Sequence, residues 1–386
     1  MKAALRLRNW AACLAALVLL AFSLTFVAEL AGSSAAQAQS SVRPPANVSN
    51  PVGGAVPGEA IGFSSDSETW RKVRKGVQGT VSIPDKKAGQ LVQSEGDSWR
   101  GWKNGPLSTW GALALGATVL LLILFYLGRG KITIEHGWAK KTITRFDDIE
   151  RVAHWLLAVS FIILALTGLN ITYGKYVLMP LIGKGAFATL SAAGKWLHNY
   201  VAFAFTVGLV MIFVLWVKDN IPNRYDLAWL AKGGGLFVKG VHPPSKKFNA
   251  GQKLIFWSVV LGGTSLILSG ISLLFPFQFA MFAKTFAILN IFGFDLPTQL
   301  TPIQEMQYAT LWHAIVAIGL ICIIVAHIYI GTIGMEGAFD AMGSGEVDIN
   351  WAKEHHSIWA EEVLAASAAP KRKGKRKGGS AAAPAE

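Results

Sequence analysis

Eight histidines stand in this chain of 386 residues, and four of them occupy costly places. His154, His198, His313 and His327 fall within or at the ends of long uncharged apolar runs, where an ionisable side chain is expensive and points to function by default. A single histidine there can simply hydrogen-bond a neighbouring helix; four with related spacing call for more. His313 and His327 are 14 residues apart on one run, so as a helix they share a face, about 21 Å apart along the axis. That suits axial ligands for two stacked haems, one near each membrane surface. It does not suit one copper or zinc cluster. The other four histidines, His136, His242, His355 and His356, fall between or after the runs and read as solvated or structural.

The elements that must carry these ligands follow from composition. Hydrophobic residues make up 52% of the chain and charged ones 15%, against about 25% charged in soluble proteins. Five apolar stretches, Trp110–Leu127, Val152–Tyr173, Trp196–Val217, Leu254–Phe275 and Tyr308–Met335, approach the roughly 20 residues needed to cross a bilayer. No Asp or Glu lies inside them, which argues against a proton pathway through the spans. A haem-free anchor or transporter is the other class of reading. It would leave the histidines without a reason, and no internal repeat of the kind transporters show is evident.

The net charge of +13 is concentrated beside the apolar runs, as expected of positive cytoplasmic loops and not of a nucleic-acid-binding protein. Arg129, Lys131, Lys140, Lys141, Arg145 and Arg151 follow the first run; Lys218 to Lys253 carries seven more basic residues after the third. The opposite loops carry only Lys175, Lys184, Lys195 and Lys284. The C-terminus is therefore expected inside and the N-terminal segment outside, in the inner membrane of a bacterium. Residues 1–38 read as a secretory signal, with Lys2, Arg6 and Arg8 ahead of an apolar run and Ala36-Gln37-Ala38 as cleavage site; an uncleaved anchor is the alternative. Residues 39–107 read as an exported, partly disordered segment. The basic, Ala/Pro-rich tail 360–386 reads as disordered and attracted to anionic lipid.

Topology then pairs the ligands by depth. The second run enters from inside and the third and fifth from outside, which matches His198 with His313 on the outer side and His154 with His327 on the inner side. Two axial histidines leave iron no open position, so such sites transfer electrons and do not activate oxygen. Arg151 is placed to meet a haem propionate, or to act as an ordinary positive-inside anchor. With two cysteines, Cys13 and Cys322, and no Cys-x-x-Cys-His, covalent haem attachment and a multi-cysteine cluster are both excluded.

The segments Arg151-Val-Ala-His154-Trp155, Lys195-Trp-Leu-His198, Leu311-Trp-His313-Ala and Ala326-His327-Ile-Tyr carry a family likeness. So do Lys247-Phe-Asn-Ala-Gly-Gln-Lys253 with Phe256-Trp257, Asn220-Ile-Pro222 and Trp351-Ala-Lys-Glu-His-His356. Over Thr144–Trp359 the chain resembles the gamma subunit of membrane-bound respiratory formate dehydrogenase, of cytochrome b556 type. The resemblance implies an all-α membrane protein: a four-helix diheme cytochrome b core (residues 144–359, spans near 152–173, 196–217, 254–275 and 308–335). To it this chain adds one N-terminal span (108–128). It implies two haem b groups and a quinone as acceptor, bound beside the inner haem by His327, Asn249, Gly251 and Gln252. It implies a catalytic molybdenum or tungsten subunit and an iron–sulfur subunit as partners. The long outer loop Pro276–Gln307 departs from the family's pattern and is a candidate to meet the iron–sulfur partner. On the residues alone, Asn249–Gln252 reads as the entry to a helix. Cytochrome b subunits of uptake hydrogenase or thiosulfate reductase share the plan and remain an alternative.

Overall fold

The computed structural model describes residues 94–368. The expected signal segment, the exported segment up to residue 93, Cys13 and the tail from residue 369 lie outside the described residues. What is described is almost entirely helical. Five helices are long and apolar enough to cross a membrane: Ser98–Arg129, Asp148–Val177, Met179–Trp216, Ala250–Leu274 and Pro302–Gly334. The chain divides into two compact units. One holds residues 94–112 and Ser269–Ile315, the other Leu113–Leu268 and Val316–Ala368.

Helix α1 (Ser94–Trp102) leads through a π-turn at Lys103–Leu107 into α2 (Ser108–Arg129). Leu113, Leu120, Leu121, Leu124 and Leu127 of α2 are all more than half exposed. A helix that is apolar all round suits hydrocarbon as its solvent.

Helix α3 (Asp148–Val177) starts at a reciprocal cap: Asp147 Oδ1 accepts the Glu150 amide at 2.9 Å and Glu150 Oε2 accepts the Asp147 amide at 2.9 Å. One residue, Leu178, separates it from α4 (Met179–Trp216). The helix therefore begins well before the apolar run that announces it, because after the left-handed Gly183 (φ 79°) nothing in the Ala-rich stretch breaks it. The two helices pack closely. A Cβ on Gly208 would lie 2.9 Å from the Leu157 backbone, so glycine there sets the approach. Phe205, Leu209, Ile212 and Trp216 bury this seam together with Ala153 and Leu157.

Helix α5 (Arg224–Ala231) and the turn before it pack onto α6 (Ala250–Leu274). Trp257 Nε1 donates to the Asn220 carbonyl at 3.0 Å, and buried Lys253 donates to the Ile221 carbonyl at 3.0 Å and to Asp226 at 2.9 Å. Lys253 is thus a buried structural cation, not a free loop charge. In the other unit, the loop after α6 is not extended: it forms α7 (Met281–Asn290), whose first amides, Phe282 and Ala283, each donate at 2.8 Å to buried Glu305 at the start of α8 (Pro302–Tyr329). A carboxylate there answers both the unpaired amides and the positive end of the helix.

A polar cap closes the larger unit. Strands β1 (Thr142–Thr144) and β2 (Glu346–Asp348) pair antiparallel, with Ile143 opposite Val347. Around them lie α9 (Asp340–Gly343), α10 (Ile349–His355) and α11 (Ser357–Ala368). Buried Arg145 donates to the Lys247 carbonyl at 2.6 Å and faces the rings of Phe146, Trp351 and Trp359 at 5.2–5.3 Å. Burial pushes this guanidinium down to about 9, with Glu150 opposing, so it stays charged at neutral pH. The segment after α2 is sewn to the segment after α8: Ile132 N donates to the Gly334 carbonyl at 2.9 Å and Glu336 N to the Ile132 carbonyl at 2.8 Å. Glu336 also accepts from Ile134 N at 3.1 Å and Trp138 Nε1 at 3.2 Å.

The four histidines outside the runs all belong to this cap. His356 is fully buried and donates Nδ1–H to the Lys246 carbonyl at 2.8 Å. His136 Nδ1 lies 2.8 Å from Glu354 and His242 Nε2 3.0 Å from Glu135. Burial works to raise Glu354. It is outweighed by hydrogen bonds from the His136 ring and the His136 and Glu135 amides, which leave it below the ordinary carboxylate range. Burial pushes His355 down to about 4.

Candidate functional site

The structure brings His154 and His327 together. His154 sits in the second turn of α3 and His327 in the last turn of α8, and their ring centroids are 6.3 Å apart at 61°. His154 Nδ1 is buried and has no hydrogen-bond partner. Two imidazoles on opposite sides of one metal ion, each bound at about 2.0–2.1 Å, would hold their centroids about 6 Å apart. The centroid separation of the pair therefore fits one iron held between them.

His198 and His313 lie in different compact units, and each has its own set of neighbours. His198, on α4, faces the Thr167–Gly168 step of α3. Thr167 Oγ1 is 2.7 Å from His198 Nδ1, and a Cβ on Gly168 would be 3.6 Å from the ring. Thr167 directs its own proton back to the Ile163 carbonyl at 2.8 Å and the Leu164 carbonyl at 3.1 Å. Its hydroxyl oxygen therefore accepts from Nδ1–H, which fixes the tautomer and leaves Nε2 as the basic nitrogen. His313, on α8, faces the Ser269–Gly270 step of α6 in the same way. Ser269 Oγ is 2.8 Å from His313 Nδ1, and a Cβ on Gly270 would be 3.5 Å from the ring. Each hydroxyl–glycine step thus orients one imidazole and lies directly against its ring.

Sequence reasoning missed these four residues, yet a signal exists. Leu-Thr-Gly-Leu-Asn at 166–170 and Leu-Ser-Gly-Ile-Ser at 268–272 are echoes of one another on two spans. The echo is too short to register as an internal repeat, and its partners are 31 and 44 residues away.

The remaining expected residues have defined local roles. Asn249 caps α6: its Oδ1 accepts the Gln252 amide at 3.0 Å, and Gln252 Oε1 accepts the Asn249 amide at 3.1 Å. This is a capping box built from amides. Gly251 leaves room for Trp229, whose ring would be 2.8 Å from an added Cβ. The helix entry legible in the residues is thus what the Asn249 and Gln252 side chains build; it engages the oxygen of each amide and leaves their N–H groups for other work. Arg151 donates to Asp148 at 3.2 Å and to the carbonyls of Met342 and Gly343. Its guanidinium anchors α9 one turn from His154. Trp155 donates to the same Met342 carbonyl at 3.0 Å. Glu150, one turn before His154, accepts from Trp216 Nε1 at 2.8 Å and Lys247 Nζ at 2.6 Å.

Residues 145–345 match the family model described as prokaryotic cytochrome b561, which covers just over half of the chain. The chain belongs to this cytochrome b family. It is a multi-pass, all-helical membrane protein that binds haem b. Similar proteins include the cytochrome b556(Fdn) subunit of nitrate-inducible formate dehydrogenase from Escherichia coli (strain K12), 30% identical over 230 residues, 59% of this chain and 94% of the relative. The cytochrome b556(fdo) subunit of formate dehydrogenase from the same strain is 28% identical over 225 residues, 58% of this chain and 94% of the relative. A formate dehydrogenase cytochrome b556 subunit of Haemophilus influenzae (strain ATCC 51907 / DSM 11121 / KW20 / Rd) is 27% identical over 227 residues, 58% of this chain and 84% of the relative. All four span histidines and the capping-box residues fall within the family match, whereas α2 lies before it.

Proposed function

We propose that this cytochrome b is the membrane subunit of a formate dehydrogenase and carries electrons between two bis-histidine haems toward a quinone. The single observation that carries the reading is the His154–His327 pair, two imidazoles whose ring centroids are 6.3 Å apart. His198 and His313 are assigned to a second, outer haem by their matched surroundings and by the outer depth that two spans entering from the same side give them. A haem iron held by two imidazoles supplies one-electron transfer with no open position for oxygen. The chain's own work is to fix the rings. Thr167 and Ser269 hold two of them by Nδ1; Arg151 and Trp155 hold the α9 turn beside a third and bring positive charge to where a propionate needs it.

Asn249, Gly251 and Gln252 are assigned, with His327, to the quinone. The capping box fixes both amides at a helix N-terminus, with their N–H groups available to a quinone carbonyl. Formate oxidation belongs to partner chains, a molybdenum or tungsten subunit and an iron–sulfur subunit, with α7 and its flanking loop as docking region. The positive-loop pattern supports a cytoplasmic cap, in a bacterial inner membrane on this reading. Quinone reduction there, coupled to formate oxidation outside, would separate charge; a flat membrane-potential signal in sealed, formate-fed vesicles would refute that part. The central test is a reduced-minus-oxidised spectrum of the purified chain with pyridine-haem quantification. Two b haems per chain support the reading. A colourless chain from haem-replete cells sinks it.

A further inference from the structure

We infer that Thr167 and Ser269 are positioning residues that hold the outer haem at a lower potential than the inner one, so that each electron runs downhill from the outer side inward. The inference rests on the bis-histidine reading above. Its basis is an asymmetry between the two histidine pairs. On the outer side both rings have a hydroxyl oxygen within 2.8 Å of Nδ1. On the inner side, among the described residues, no protein acceptor meets either ring, and His154 Nδ1 is buried without a partner.

The chemistry follows from that difference. An Nδ1–H that donates to a hydroxyl loses some of its positive character, and the ring becomes a more basic ligand through Nε2. A more basic ligand favours ferric over ferrous iron, and hydrogen bonding around the ligands is one of the levers that set a haem's potential. Thr167 is well suited to accept, since its own proton is already given to the Ile163 and Leu164 carbonyls. In the step itself one electron leaves the outer iron, which goes from ferrous to ferric. It arrives on the inner iron, which goes from ferric to ferrous. No bond is made or broken, and the proton on each Nδ1 stays where it is.

The test is a potentiometric titration of the full-length chain with its haems, followed at the haem absorption band. Two midpoints are expected, and His198→Ala should remove the lower one. Thr167→Val and Ser269→Ala should each raise the lower midpoint and leave the upper one in place, shifting electron partition by about tenfold, or about 59 mV for one electron. Thr167→Ser, which restores a hydroxyl, should return the midpoint. Thr206→Val, which removes a hydroxyl bonded only to the Ala202 carbonyl, should change neither. Coincident midpoints in the unsubstituted chain would overturn the inference. So would loss of the upper midpoint in His198→Ala, or a Thr167→Val, Ser269→Ala double variant with both haems bound and the lower midpoint unmoved. Failure of the underlying reading looks different: fewer than two haems in the unsubstituted chain, before any titration begins.

Discussion

The molecule uses histidine in two regions and treats it in opposite ways. In the cap, His136 and His242 meet carboxylates and His356 meets a backbone carbonyl. In the spans, His198 and His313 meet hydroxyls, and the rings of His154 and His327 face each other. An imidazole beside a carboxylate is tied to that partner through one ring nitrogen. An imidazole held by a neutral hydroxyl keeps its lone pair for something else. What separates the two regions is the kind of partner, carboxylate or carbonyl in the cap and hydroxyl in the spans.

The sharpest way to break this contrast is to remove one histidine from each region. Alanine at His154, His198, His313 or His327 is expected to cost one whole haem per chain, measured as pyridine haemochrome. His136→Ala should leave both haems in place. The next largest effect concerns the cap itself. Arg145→Ala empties the aromatic cage of Phe146, Trp351 and Trp359. It should cost about 2–5 kcal/mol, the range for a large buried side chain cut to alanine, read as earlier proteolysis of the cap.

Acid should sharpen the difference further. His355 is held down to about 4 by burial, against 6.5 when free. A histidine lowered in the folded state contributes stability above its unfolded value and loses it as pH falls toward the folded one. The cap should therefore weaken between pH 6.5 and about 4, by at most about 3 kcal/mol from this group. Hydrogen exchange at pH 7.5 and pH 5 would show faster opening of α10 and α11 at the lower pH; equal rates would remove the prediction. The smallest effect is expected at His136 itself, whose side chain is 74% exposed. Its loss should cost about 1 kcal/mol in thermal unfolding, the worth of one hydrogen bond, because buried Glu354 keeps the Glu135 and His136 amides.

The spans and their histidines were legible because hydrophobic runs and the 14-residue interval from His313 to His327 are local properties of the sequence. So was the helix entry at Asn249–Gln252. What was not legible is mostly long-range. The extension of α4 back to Met179 and the presence of α7 within the Pro276–Gln307 loop depend on a bend at Gly183 and a cap from Glu305, 23 residues from Phe282. The burial of His356 depends on Lys246, 110 residues earlier. Thr167 and Ser269 look like ordinary back-bonded hydroxyls of membrane helices until the opposing helix is in place.

The stitch between Ile132 and Gly334–Glu336 has a consequence for how the molecule is made. Residues 132–138 leave the ribosome about two hundred residues ahead of Glu336, their binding partner. Throughout that interval Ile134 and Trp138 lack their Glu336 acceptor. The same is true of Glu135 and His136, whose amides wait for Glu354. Contacts this distant are slow to close. Helix α2 can enter the bilayer early and meet residues 236–242 soon after, but the stitch behind it closes only once residues 334–336 have been made. Nascent chains cut short before residue 336 should therefore keep an open, protease-sensitive seam, which gives the cell a simple way to tell finished subunits from unfinished ones.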